Sequence, residues 1–304
     1  MSTRLADGAL KSLMLRLPIV TGWSAARRRG INGTTIFCFH GVTADAASAE
    51  EGERSLHIPA REFAEYVRWI ASAYTVIPLS EAVARLAARR ALHGTACLTF
   101  DDAYQGVLEH ALPVARVHGL PVTMFAVTEA SRGRTGFWWD AIARQGALGE
   151  DERERCLTDL AGDADRILEA HPAAGAAPSD VLRAAGWPAL RAAAGDLVAI
   201  QMHTRRHRNL SVLSADDRRD ELSPAAFEAE MGERPSIVSY PYGRFDDAVT
   251  REAAHLGYTA GLSMEFGVAR QGGNLLALPR VNVPAGISMD ALECRAAGLR
   301  PRAG

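Results

Sequence analysis

Residues 96–102 read Ala-Cys-Leu-Thr-Phe-Asp-Asp, a short apolar run that ends abruptly in two adjacent carboxylates. Apolar, β-branched and aromatic residues bounded by turn formers mark a buried strand, Ala96–Phe100. Asp101 and Asp102 then stand at its C-terminal end. The same grammar recurs twice. The strand candidate Leu197–Met202 runs into His203-Thr204-Arg205-Arg206-His207, and Ile237–Tyr240 runs into Ser239-Tyr240-Pro241-Tyr242-Gly243. Further strands are expected at Thr34–Phe39, Thr75–Pro78, Val122–Val127, Thr259–Leu262 and Leu276–Val281. Helical patterns lie between most of them, at Ala60–Ala73, Ser80–Arg90, Gln105–His118, Ser214–Met231 and Asp246–Leu256. Strand–helix alternation over this length implies a mainly parallel sheet, open or closed into a barrel. In parallel barrels the active site gathers at the C-terminal strand ends, so the three polar motifs are expected to converge.

Composition sets the outer bounds. With 48% hydrophobic and 23% charged residues among 304, the chain is neither disordered, collagenous nor a coiled coil. Its length suits one large α/β barrel or two small domains. A formal net charge of −2 argues against a general nucleic-acid binder. Lys11 is the one lysine among 34 basic residues, which reads as the codon bias of a GC-rich genome. Four scattered cysteines without a CxxC pair make no disulfide framework. Cys38 and Cys97 sit in apolar runs, as small buried hydrophobes do. The apolar stretch Leu13–Val20 is interrupted by Arg16 and Pro18, so it lacks a secretory h-region. No uncharged run reaches the roughly 20 apolar residues of a membrane span.

A cytoplasmic or membrane-peripheral location is therefore expected. Residues 10–29, ending in Arg27-Arg28-Arg29, read either as a basic amphipathic segment on a membrane surface or as an ordinary surface helix. The expected organisation is an N-terminal segment 1–30, a single barrel domain 31–290 and a tail 291–304. Residues 131–195 carry no clear strand pattern and read as a helical insertion on the barrel rim.

Histidines spaced i and i+4 lie one above the other on a helical turn and can face one ion. With a carboxylate they form a 2-His-1-carboxylate set with open positions. Adjacent carboxylates on an extended segment point to opposite sides, so one can be a metal ligand and the other a general base. Each motif alone also has a plainer reading: a turn or helix N-cap, a solvated helix face, a tight turn. Their joint occurrence, each after a strand, argues against coincidence.

Together TFDDAYQG, MHTRRHRNLS and SYPYG resemble the polysaccharide deacetylase family, also known as the NodB homology domain or carbohydrate esterase family 4, over roughly Thr34 to Val283. The resemblance implies a distorted (β/α) barrel, with residues 131–195 as an insertion, and a hydrolase that removes N-acetyl groups from amino sugars. By it, Asp102, His203 and His207 are metal ligands, usually for Zn2+, with Co2+, Ni2+ or Fe2+ as alternatives. Asp101 is the catalytic base, Thr204 holds the loop, the Tyr242 backbone N–H binds the oxyanion, and Pro241 shapes that turn. The implied partner is a carbohydrate bearing an N-acyl amino sugar, with no nucleic acid; the oligomeric state stays open.

Two departures from the pattern stand out. Ser239 occupies a position where many members carry an arginine that tunes the base. Arg280, in Leu278-Pro279-Arg280, is a candidate for that partner and is also counted among the substrate-site residues. No histidine follows His255, although many members carry a C-terminal Leu-x-His whose histidine is the general acid. His40, at the end of the first strand in Phe37-Cys38-Phe39-His40-Gly41-Val42, is read as that acid or as a structural cap. Phe137-Trp138-Trp139-Asp140 either stacks sugar rings, through Trp138 and Trp139, or pins the insertion to the barrel. His57, His93, His110, His118 and His171 have no motif around them and read as surface or packing residues. Two other readings stay open: a degenerate sugar-binding protein of the same fold, and a different 2-His-1-carboxylate enzyme such as a non-haem iron oxygenase.

Overall fold

The computed structural model describes residues 15–144, 146, 148–173 and 179–299. Residues 10–14 of the amphipathic candidate, residues 174–178 of the insertion and the tail beyond 299 lie outside the described residues. In chain order the strands are β1 (Gly33–Phe39), β2 (Gly41–Thr43), β3 (His57–Pro59), β4 (Thr75–Val76), β5 (Thr95–Phe100), β6 (Val122–Ala126), β7 (Val198–Met202), β8 (Ile237–Ser239), β9 (Ala260–Phe266), β10 (Ala269–Arg270) and β11 (Leu278–Asn282). Every residue of β1, β5 and β6 is buried. Burial on both faces demands a cover on each, the condition under which parallel sheets form.

Seven strands meet it by closing into a parallel barrel in the order β1-β5-β6-β7-β8-β9-β11, with β11 pairing back to β1. The (β/α) barrel expected from the sequence is therefore present. β4 and the antiparallel β10 flank the ring. The strand expected at Thr75–Pro78 shortens to the two residues of β4 and lies outside the closed barrel.

The helix Ala60–Ala73 illustrates how the cover is built. It starts after Pro59, buries Phe63, Tyr66, Val67 and Ile70 on one face, and stops where Tyr74 turns extended. Each such side chain contributes roughly 1.5–3 kcal/mol when fully buried. The single helix expected over Ser214–Met231 is instead two, Ala215–Leu222 and Ala225–Met231. Pro224 has no N–H to donate and disfavours helical backbone at Ser223, which accounts for the break. β2, β3 and β10 were not legible, because segments of two or three residues carry no period. Residues 131–195 contain no named strand among the described residues, only helices, among them Trp138–Ala143, Glu150–Thr158 and Ala164–Ala170.

The two short helical stretches before β1 are separated at Gly22. In the second, Trp23–Gly30, Ser24 and Arg28 turn inward and bind Glu293 at 2.7 and 2.9 Å, while Leu17, Val20 and Trp23 remain exposed. Among the described residues no helix is long and apolar enough to cross a membrane.

The barrel's inward face positions the site. Residues two apart on a strand share a face, and paired parallel strands keep faces aligned. Ile36, Cys38 and His40 follow one another on that face. The aligned series are Cys97, Thr99 and Asp101, then Ile237 and Ser239, then Leu278 and Arg280. Each series runs from apolar to polar toward the C-terminal end, so the polar atoms collect at one mouth of the barrel above an apolar plug that includes Ile36, Cys97, Phe125 and Leu262.

Candidate active site

The strand β5 ends in a turn in which Asp102 and Ala103 take φ values of 66° and 48°. That left-handed backbone, rather than the extended geometry expected, separates the two carboxylates. Asp101 points to the barrel axis and Asp102 toward the histidines. Five of the eight non-glycine residues at positive φ among the described residues lie in this region: Asp102, Ala103, Thr204, His207 and Tyr242. Such conformations persist only where surrounding contacts impose them, and they cluster at functional sites.

Asp101 is held from behind. Arg280 donates to it with both terminal nitrogens, Nη1 to Oδ1 at 2.8 Å and Nη2 to Oδ2 at 2.7 Å. Ser239 Oγ adds a 3.1 Å bond to Oδ2 and itself accepts from Arg280 at 3.0 Å. Burial alone would raise the Asp101 carboxyl, but Arg280 and His203 more than offset it and hold it well below the usual carboxylate range. The missing arginine of the third motif is thus supplied in space from β11, with the small Ser239 leaving room for it. Arg280 is 1% exposed, and its donors are spent on Asp101, Ser239, Met264 Sδ and the Ser263 carbonyl. The structure thus places Arg280 behind the carboxylate, as the partner of Asp101.

Replacing Arg280 with Met would leave a buried carboxylate without its partner. A loss of about 3–5 kcal/mol is expected for removing one member of such a pair. Chemical denaturation of the metal-free protein measures it; an unchanged midpoint would mean that Asp101 does not depend on Arg280.

Asp102 has the opposite surroundings. It is 2% exposed, and its Oδ1 accepts no hydrogen bond from the described residues. Burial and then the charges of Asp101 and Asp140 push its carboxyl well above the usual range. Facing Oδ1 are His203 Nε2 at 3.6 Å and His207 Nε2 at 3.4 Å, themselves 3.2 Å apart. Burial pulls both imidazoles down, toward the neutral form a metal ligand requires. A buried carboxyl group with an orphaned oxygen, disfavoured as an anion by its surroundings and aimed at two neutral nitrogens, is a donor set that a divalent cation would complete, and the three side chains form one of the candidate metal clusters.

The histidines do not reach this position on a helical turn. Residues 203–207 are non-helical, with φ of 62° at Thr204 and 63° at His207. Thr204 Oγ1 accepts from the His207 backbone N–H at 3.2 Å, bracing the loop. Arg205 and Arg206, between the ligands, are drawn outward: Arg205 pairs with Glu129 and Asp220, Arg206 with Asp220 and the buried Glu221.

Tyr242 lies in a single 3-10 turn, Pro241–Gly243, at φ 58°. The turn requires glycine next: Gly243 sits at φ 68°, and a Cβ there would come 2.2 Å from Met264 Cβ. A cavity of about 280 Å³ is lined by His40, Asp101, Asp102, Trp139, Arg153, His203, His207, Tyr242 and Asn282, among others. His40 therefore opens on the same space as the two aspartates. Burial, reinforced by Arg280 and His203 and opposed by Asp101, pulls its pKa down to about 4. Trp138 and Trp139 are 3% and 4% exposed; both line a neighbouring cavity of about 250 Å³, so each is at once an anchor and a wall.

His57, expected as a surface or packing residue, is buried together with Tyr104 and Asp140, a grouping that no motif marks. His57 and Asp140 are fully buried and joined at 2.7 Å. The only available signal was the strand-like His57-Ile58-Pro59, too short to read. His93, His118 and His255 are exposed, as expected. The four cysteines are free and buried. A further cluster of Glu152, Cys156 and His171 also brings three ligand types together, with His171 Nε2 3.0 Å from Glu152 Oε1.

Comparison with known proteins identifies the family and the fold. A family profile described as "Polysaccharide deacetylase" matches residues 89–261, more than half of the chain. YxkH of Bacillus subtilis is 23% identical over 241 residues, covering 78% of this chain and 69% of that protein. Among solved structures, IcaB from Ammonifex degensii superposes with a TM-score of 0.62 at 19% identity, covering 88% of this chain and 97% of that one. The Streptococcus pyogenes deacetylase PplD, solved in complex with acetate, gives 0.59 at 16% identity over 83% and 92% of the two chains. At these identities the structural likenesses speak to the fold.

Proposed function

The chain belongs to the polysaccharide deacetylase family, and from that premise we propose that it is a metal-dependent hydrolase removing an N-acyl group, foremost acetyl, from an amino sugar. The sugar is part of a glycan, an oligosaccharide or a lipid-linked precursor. One observation carries the reading: an orphaned buried Asp102 oxygen faces two neutral histidines, beside a second aspartate that is held ionised. When bound by Asp102, His203 and His207, a divalent ion, zinc foremost, supplies Lewis-acid polarisation of an acyl carbonyl and acidifies a water.

The protein's own groups do the rest. Asp101 Oδ2 is saturated by Arg280, Ser239 and the Cys38 thiol, whereas Oδ1 is bonded by Arg280 alone among the described residues. Asp101, ionised and 3.9 Å from His203 Nε2, is the carboxylate that takes the proton as water attacks. Arg280 keeps the carboxylate ionised and fixes its plane, at the cost of a weaker base. The Tyr242 backbone N–H stabilises the tetrahedral oxyanion. His40, on the same cavity with a ring nitrogen within 4.8 Å of an Asp101 oxygen, is the group proposed to relay the proton taken up by Asp101 to the leaving amine.

The test is release of acetate and formate from a panel of N-acylated amino sugars spanning oligomers, nucleotide sugars and lipid-linked sugars. Acetate from at least one class is the expected result. Metal bound at full occupancy with no release from any member would overturn the reading and favour a sugar-binding protein without turnover.

A further inference from the structure

The motif Phe137-Trp138-Trp139-Asp140 has a role that neither sugar stacking nor simple anchoring describes. The two histidines opposite Asp102 are supported differently. His203 Nδ1–H donates to the Ser239 carbonyl at 2.8 Å, which fixes its ring and leaves Nε2 free to ligate. His207 Nδ1 is buried and has no hydrogen-bond partner among the described residues. Its ring is instead held between aromatic neighbours, Trp139 at 4.8 Å and Tyr242 at 4.6 Å between centroids.

Both neighbours are fixed by hydrogen bonds at their far ends. Trp138 Nε1–H donates to Tyr242 Oη at 3.0 Å. Trp139 Nε1–H donates to Tyr104 Oη at 2.8 Å, and that hydroxyl donates onward to Asp140 Oδ2 at 2.7 Å. Asp140 Oδ1 accepts from His57 Nε2 at 2.7 Å and from the Glu53 backbone N–H at 2.8 Å. Asp140 and His57 are 0% exposed, and the space is filled: a Cβ on Gly41 would lie 2.1 Å from His57 Nδ1, and one on Gly52 would lie 2.6 Å from Asp140 Oδ1. Phe137 stacks on Trp139 at 4.7 Å and 10°, closing its other face.

We propose that Tyr104, Asp140 and His57 are positioning residues that lock Trp139, and through it the ring of His207, so that packing replaces the missing polar support of this ligand. Tyr104 lies two residues beyond Asp102, so the same network also fixes the turn that carries the carboxylate ligand. The inference rests on the reading of Asp102, His203 and His207 as a metal site.

Tyr104→Phe and Trp139→Phe each remove the hydrogen bond between these two side chains while keeping a ring in place. Zinc affinity, measured by competition with a chromophoric chelator, is expected to fall about 10–100-fold in Tyr104→Phe, the range for outer-shell changes. A fall at least as large is expected in Trp139→Phe, which also removes part of the ring packed on His207, and the double variant should lose less than the two single effects combined, because both break one bond. The visible absorption of the Co2+-loaded protein should change in the same variants, since it reports ligand geometry, while the metal-free proteins keep the wild-type circular dichroism.

Unchanged affinity and cobalt spectrum in Tyr104→Phe would overturn the proposal, as would fully additive losses in the double variant. A spectrum unchanged while thermal stability falls would assign the network to folding alone and overturn it too. If the wild-type protein binds neither zinc nor cobalt, the metal reading itself fails. That outcome is distinct from a wild type that binds and variants that bind equally well.

Discussion

Asp101→Asn is expected to keep its metal and lose turnover by on the order of 10²- to 10⁴-fold, the usual contribution of a positioned general base. The substitution preserves shape and leaves Asp102, His203 and His207 untouched. What it removes is the carboxylate's negative charge and its capacity to take a proton. It also sets an amide N–H₂ against the Arg280 guanidinium, which now donates twice to the carboxylate. Some loss of stability should accompany the loss of rate, so turnover must be compared at equal folded fraction. Metal analysis of the purified variant is the deciding readout. Full metal content with lost turnover supports the division of labour between the adjacent carboxylates. Loss of metal would mean that their roles are exchanged.

His203→Ala is expected to abolish both metal retention and activity. Its Nε2 is one of three protein donors, and its Nδ1 bond to the Ser239 carbonyl ties β7 to β8 at the mouth of the barrel. Losing a direct ligand should cost more than the 10–100-fold typical of outer-shell changes. Dialysed protein should contain metal at well under one ion per chain. The barrel should persist, because its apolar layers lie below the site. Full retention would point to the other cluster at this mouth, Cys38, His40 and Asp101. The Arg280 charge already engaged by Asp101 argues against a cation there.

Much of this was readable in one dimension because chemistry and topology reinforce each other. Four of the five expected helices and all seven barrel strands follow from the alternation of apolar runs with amphipathic segments. Strands that are buried on both faces cannot hide their composition. The three motifs converge because each ends a strand of one parallel barrel. The conformations within the motifs were less legible. Left-handed backbone at Asp102, Thr204 and His207 is imposed by tertiary contacts on residues with no strong preference for it. A helical turn for the two histidines was the natural local expectation, and the fold overrides it.

Arg280 could be named as a partner for the base, but not located. The register of β11 against β9 is irregular between Leu278 and Arg280, and pairing register is not written in a five-residue strand. His57, Tyr104 and Asp140 were invisible as a group for a similar reason. They come from three segments separated by tens of residues, and only the closed fold brings a histidine, a tyrosine and an aspartate into one buried network.

The central claim is that Asp102, His203 and His207 hold an ion on which amide hydrolysis depends. The most direct test measures acetate release from an N-acetylated amino-sugar oligomer by the protein as purified, after chelation, and after one equivalent of zinc is restored. Release that vanishes with the metal and returns with zinc is the predicted result. Release that continues undiminished in fully chelated protein would contradict the account.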